Sequence, residues 1–277
     1  MAETYSDGTT TDGTGEGFLN DRTLKWVGVA GSALFTLVIA AFLAYIVVVQ
    51  VNFALLVEVF QPQFVDALYT VLTVVVVGSV LSVTAGVIVG LARVSKTTFT
   101  RSVAKGYIEF FRGTPLLFQL AVVFFGIPAL WPSGQFPFQN FAYPAAIIGL
   151  TLNHAAYIGE AIRGGIESVP DGQMEAARSL GMSYIQSMRE VVLPQAWRNA
   201  LAAIGNDQVI LVKDTSLLTF IAVPELISFF RNVNSTNFDA WTPLLLVAIG
   251  YLAITVPMGM LVRYLEARAD PAGRGDR

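Results

Sequence analysis

Residues 175–194 read EAARSLGMSYIQSMREVVLP, a charged, helix-compatible stretch set among segments too apolar for water. Pro170, Asp171 and Gly172 stand just ahead of it, so a helix can begin at Asp171. Glu175 is then expected in the first turn, where the positive end of the helix dipole favours a carboxylate. Gly181 ends that helix, because glycine takes a left-handed position after a helix without steric cost. Ser183 and Gln186 form a capping-box pattern that opens a second helix. Pro194 limits or kinks the second helix by withholding an N–H. The expectation is helix, turn, helix. Ala176, Ala177 and Leu180 form a stripe on the first helix where another protein's surface can come close.

The surroundings decide where this hairpin lives. Of 277 residues, 54% are hydrophobic and 13% charged, with a mean hydropathy of +0.61, whereas soluble domains carry about a quarter charged residues. The chain is an integral membrane protein. A bilayer core about 30 Å thick asks for about 20 apolar residues per helix. Six stretches meet that demand: 26–50, 66–92, 114–131, 141–162, 203–223 and 242–263, the third and fifth least cleanly. The predicted fold is therefore all-α and polytopic, with about six transmembrane helices. Residues 1–21 are Gly, Thr and acidic residues with little to bury, the composition of a disordered acidic tail. The apolar run that follows is too long for the core of a secretory signal, so residues 22–51 are expected to stay as a transmembrane helix. Residues 266–277 form a short C-terminal tail.

Charge location orients the spans. The basic residues fall before span one, between spans two and three (Arg93, Lys96, Arg101, Lys105, Arg112), between spans four and five (Arg163, Arg178, Arg189, Arg198), and at or after the end of span six; Arg231 alone sits in a connection on the other side. The positive-inside rule then puts both termini, the 93–113 loop and the 163–200 loop in the cytoplasm. A connector of about 40 residues with its own capped helices is uncommon without a function.

Several chemistries are excluded. The chain has no Cys, hence no disulfide, thiol nucleophile or Cys-ligated metal. A net charge of −3 without any basic run argues against nucleic acid. No G-x-x-x-x-G-K-[ST] loop is present to cradle ATP, and neither H-E-x-x-H nor G-x-S-x-G occurs. His154, the sole histidine, is expected to pack between helices without a chemical role. Gly78, Gly86 and Gly90 permit close helix contact in span two. Arg112, Gly113, Thr114 and Pro115 mark the cytoplasmic start of span three, the arginine snorkelling to the interface and the proline fitting a first turn.

Polar groups inside the spans point to a path for solute, since an ionised group near the bilayer centre costs about 2.5–3.5 kcal/mol on insertion scales and normally faces the bundle interior. Asn153, Tyr157, Glu160 and Gly164 recur at helical spacing on one face of span four. In span five Asn206, Asp207, Lys213, Asp214, Thr215 and Ser216 supply hydrogen-bonding groups and charges of both signs, which suit a zwitterionic amino acid. The alternative is that Glu160 and Lys213 simply pair, or that some of these groups meet water at helix ends.

The spacing E-A-A, three residues, G, nine residues, a β-branched residue, one residue, L-P resembles the signature loop of ABC-transporter importer permeases. Glu175, Ala176, Ala177, Gly181, Val191, Leu193 and Pro194 fill it, with Val191 where the family more often has Ile. The segments FFRGTPLLFQL (110–120), AAYIGEAIRGGI (155–166), GQMEAARSLGMS (172–183), LPQA (193–196) and KDTSLL (213–218) resemble the branch that imports histidine, glutamine, glutamate and arginine. The resemblance covers about 64–265. It implies a five-helix permease core of the type I importer kind, to which residues 22–51 add a helix. It further implies that the first hairpin helix docks on a separate ATP-binding cassette ATPase, which holds ATP and Mg while this chain binds no cofactor. An extracytoplasmic solute-binding protein and a second permease, either a copy of this chain or a sister, complete the implied assembly in the cell membrane. A transporter driven by an ion gradient is the rival reading, although the internal repeats usual in such proteins are not visible.

Overall fold

The computed structural model describes residues 21–269. Residues 1–20 of the predicted N-terminal tail and 270–277 of the C-terminal tail lie outside the described residues. Among the described residues there is no strand. The helices are α1 (Asp21–Tyr45), α2 (Phe53–Val59), α3 (Val65–Arg93), α4 (Thr98–Gly113), α5 (Leu116–Ala121), α6 (Ala142–Glu167), α7 (Asp171–Ser179), α8 (Tyr184–Ser187), α9 (Leu193–Asp214), α10 (Leu226–Asn237) and α11 (Trp241–Ala269). The described residues divide into two separate compact units between Val51 and Asn52. In the first, α1 continues through a wider helical turn to Gln50, and Lys25–Gln50 has a mean hydropathy of 2.6, enough to cross a bilayer.

In the second unit Phe53–Arg93, Ala142–Glu167 and Trp241–Ala269 are also long and apolar enough to span. The remaining two predicted spans take other forms. The expected loop 93–113 is largely the helix α4, which meets Leu116–Leu130 at a bend of 103°. Its amphipathic pattern, with Ala104 and Ile108 buried and Lys105 and Glu109 exposed, is hidden in the sequence by its basic residues. Span five, predicted over 203–223, is α-helical only to Asp214 and continues as a 3-10 turn over Thr215–Ile221. The Thr215 hydroxyl bonds the Val212 carbonyl at 2.7 Å, and such hydroxyls compete with the helical ladder.

Lipid tails are as apolar as leucine, so helices in a bilayer associate through close packing rather than exclusion from water. Gly86 and Gly90 provide it here: a Cβ at either would fall 2.5–2.7 Å from the side chains of Ile158 and Ile162. The constant offset makes α3 and α6 run parallel. Gly165 lies against Ala196 and Ala200 while His154 reaches Asp207, so α9 runs antiparallel to α6. α10 is capped by Glu225, whose fully buried carboxylate accepts the N–H groups of Ile227 and Ser228 at 2.7 and 2.8 Å and the Tyr251 hydroxyl at 3.3 Å. Burial pushes the Glu225 carboxyl up to about 7.

The 171–194 hairpin has the predicted plan. Gly181 sits at φ +86°. Ser183 and Gln186 cap each other, at 2.8 Å from the Ser183 N–H and 3.3 Å from the Gln186 N–H. Three details differ from expectation. Asp171, not Glu175, is the carboxylate in the first turn of α7. Ala177 is buried and turns inward, while Ala176 and Leu180 face out, so the stripe is split between two faces. Pro194 does not stop the second helix: α8 passes through a wider helical turn over Met188–Val192, and this local distortion just ahead of Pro194 accommodates the missing N–H as the helix continues into α9.

Candidate solute pocket

The bend between α4 and α5 is built by short-range chemistry. Gly113 ends α4, and Thr114, ahead of Pro115, is extended (φ −117°, ψ 145°), as the residue before a proline prefers. Gln119, buried on α5, donates to the carbonyls of Phe111 at 2.9 Å and Thr114 at 3.1 Å and to the Thr114 hydroxyl at 2.9 Å. Its own carbonyl accepts from Asn153 at 3.0 Å. These bonds fix the end of α4, and with it the direction of Arg112.

Arg112 enters a cleft of about 440 Å³ that it lines with Asn153, His154, Tyr157, Asp207 and Asp214. An adjoining cleft of about 370 Å³ shares Arg112, Tyr157 and Asp207 and adds Glu160, Arg163 and Asn206. The Arg112 guanidinium lies 5.4 Å from the centroid of the Tyr157 ring and 3.6 Å from Glu160. Glu160 is held more closely by Arg163, at 2.6 and 3.0 Å, and Arg163 also bonds Glu167. Glu160 is thus neutralised by neighbouring arginines and not by Lys213.

His154 is buried between two carboxylates of α9. Its Nδ1 lies 3.1 Å from both Asp207 oxygens and its Nε2 3.4 Å from Asp214. Asp207 and Asp214 stand two helical turns apart on one face, so a single imidazole reaches both, hydrogen-bonded to Asp207 and facing Asp214 without a hydrogen bond. Gln208 adds a bond to Asp207 at 3.3 Å. A bridge of this kind was not expected of a lone histidine, and nothing local in the sequence announces partners 53 residues away.

Of the expected path residues, Asn153, Tyr157, Glu160, Asn206, Asp207 and Asp214 line these two clefts. Lys213 faces a third, of about 420 Å³, with Asn206, Thr255, Gly259 and Arg263. Thr215 is fully buried and committed to its own helix, and Ser216 lines none of the three. Arg112 and Arg163 join the site although the sequence had marked the first only as an interface residue. Among the described residues no group of three His, Asp or Glu is placed to hold a metal.

The profile of the family described as the binding-protein-dependent transport system inner membrane component matches residues 78–271. The probable amino-acid permease protein YxeN of Bacillus subtilis (strain 168) is 37% identical over 205 residues, covering 74% of this chain and 90% of that protein. The probable amino-acid ABC transporter permease protein YckA of the same strain is 41% identical over 194 residues, covering 69% and 83%. A crystal structure of an amino acid ABC transporter with histidines superposes with a TM-score of 0.71 at 32% identity, covering 79% of this chain and 99% of that one. With that fold, that family match and a polar pocket between the spanning helices, the chain belongs to the inner-membrane components of binding-protein-dependent transport systems and is an ABC importer permease.

Proposed function

We propose that this permease carries a polar amino acid through the pocket between α4, α6 and α9. The observation that carries the reading is the convergence of Arg112 with Asp207 and Asp214 on one lining. A zwitterion presents a carboxylate to the guanidinium and an ammonium to the carboxylates, and a charge-assisted hydrogen bond is about twice as strong as a neutral one. Asn153, Tyr157, Glu160 and Asn206 complete the path, and Lys213 extends it into the neighbouring cleft. Relatives named as amino-acid permeases support this solute class.

The drive comes from separate ATP-binding cassette subunits, which hold ATP and Mg and dock on the 172–194 hairpin. Glu175, Ala176 and Pro194 are exposed there, beside Leu180 and Ile185. Ala177 and Leu193 pack inward, and Gly181 turns the chain between the two helices. Exposed apolar side chains on a short cytoplasmic element call for a protein partner. A solute-binding protein delivers from outside, and a second permease, a copy or a sister, faces this one. Both termini lie in the cytoplasm, and residues 22–51 are a helix added to the 64–265 core. ATP-driven closure of the nucleotide subunits moves the hairpin, and the bundle opens alternately to either side.

Uptake by proteoliposomes holding the purified assembly tests this reading, using labelled arginine, histidine, glutamine and glutamate in turn. The reading expects uptake of at least one that needs internal ATP and the binding protein. Uptake that needs only an ion gradient, with no ATPase present, contradicts it and restores the secondary transporter.

A further inference from the structure

The cleft that Lys213 faces lies on a different flank of α9 from Asp207 and Asp214, against α11. The two helices meet beside it at Gly205, where a Cβ would fall 2.5 Å from the Val262 side chain. Further along α9, Lys213 shares the cleft with Thr255, which precedes Val262 on α11, so the helices run antiparallel. Side chains on a helix lean toward its N-terminus. Lys213 therefore leans toward the hairpin, from which α9 starts, while Arg263 on α11 leans the opposite way. Its Nη1 lies 3.6 Å from the Cβ position of Gly259, one turn back along α11. The two cations thus approach each other along the cleft from opposite ends. Glu266 follows one turn beyond Arg263 in the same lining, and Asn206 lines both this cleft and the one that holds Arg112 and Glu160.

Among the described residues Lys213, Arg263 and Glu266 form no ion pair. Charges on spanning helices normally meet a counter-charge or a water-filled path, and Lys213 and Arg263 are both exposed. The cleft, of about 420 Å³, has room for a small solute. Two converging cations with a carboxylate beyond them complement a free amino acid, whose own carboxylate and ammonium stand close together. We propose that this cleft is a second solute site. It takes the carboxylate of a polar amino acid between Lys213 and Arg263 and the ammonium at Glu266, and Asn206 is the polar group common to both sites. Glu266 stands near the end of α11, about 5 Å from Ala269 at 1.5 Å per residue. The cleft therefore reaches the hairpin end of the bundle, whereas His154 lies midway along α6, and the second site receives the solute as it leaves the pocket. This inference rests on the reading of the pocket as a solute path.

Equilibrium dialysis of the complete assembly without its binding protein, against labelled arginine, histidine, glutamine and glutamate in turn, counts the sites. For at least one of the four, the parent is expected to bind two molecules per permease chain. Lys213→Gln and Arg263→Gln should each lose one of the two. Glu266→Gln should weaken that one at least tenfold, and Arg263→Lys, which keeps the charge, should retain it. Arg112→Gln should lose the other molecule and keep this one. Because no ion pair is broken, Lys213→Gln, Arg263→Gln and Glu266→Gln should keep the parental Tm, so that a lost molecule reports binding and not unfolding. One molecule per chain in the parent, or two that persist in both Lys213→Gln and Arg263→Gln, overturns the second site. A phospholipid seen on the parent by native mass spectrometry and missing from Arg263→Gln also overturns it, since the cleft is then a lipid site. A parent that binds none of the four instead overturns the solute pocket beneath it.

Discussion

The hairpin and the pocket are made in opposite ways. In the hairpin every decisive bond is local: Ser183 and Gln186 cap each other across three residues, and Gly181 turns the chain by its own backbone conformation. In the pocket the decisive bonds join distant segments, Asn153 to Gln119 across 34 residues and His154 to Asp207 across 53. A local element can keep its shape while moving as a body, which suits a docking piece. A lining whose polar groups are cross-linked between distant segments, with His154 and Asp207 buried at its back, holds its geometry, which suits a selective path. The contrast implies that damage to the hairpin removes drive while damage to the pocket removes stability or selectivity.

The largest effect should come from Gly181→Val. A β-branched residue at φ +86° costs about 1–3 kcal/mol in backbone strain and displaces α7 from α8. Uptake is expected to vanish while the amount of chain in the membrane is unchanged; uptake at parental rate would break the comparison at its hairpin end. His154→Leu comes next. It leaves Asp207 buried with only Gln208 for a partner, and stranding a buried polar group costs about 1–3 kcal/mol. A markedly lower Tm in detergent is expected, and an unchanged Tm would show that the bridge holds nothing.

Glu160→Gln should act more gently, because Glu160 is partly exposed and Arg163 keeps Glu167. A half-exposed pair is worth up to about 1 kcal/mol, or about fivefold in KM or in the preference between solutes. Identical kinetics and selectivity would remove Glu160 from the path. The smallest effect concerns Glu225, which lies apart from both regions. Its folded-state pKa is raised by burial, so the proton is bound more tightly in the folded chain, and the stability this contributes is lost as pH rises through about 7. Tm should fall over that range in the parent and stay flatter in Glu225→Gln; equal slopes would contradict the assignment.

The same contrast explains what could be read in advance. The caps and turn of the hairpin lie within a few residues, so side-chain type and spacing specify them. The apolar runs that became α1, α3, α6 and α11 were equally visible, because bilayer thickness imposes their length. α4 was not, since five basic residues between spans two and three dominate the local composition and mask the face that packs on α6. The break at Asp214 was hidden because Thr215 and Ser216 read equally well as pathway hydroxyls. Arg112 was legible only as a cation before Gly-Thr-Pro, and its approach to Glu160 depends on a bend set by Gln119. Lys213 carries the right charge on the right helix, yet helical rotation turns it toward α11 and away from Glu160.

The most direct measurement is mass-spectrometric identification of the subunits that co-purify in mild detergent with the parent chain, Gly181→Val and Glu160→Gln. The account predicts an ATP-binding cassette subunit beside the parent and Glu160→Gln, and its loss from Gly181→Val. An ATPase that stays with Gly181→Val in parental amount, or that never accompanies the parent, would contradict the division between a docking hairpin and a solute pocket.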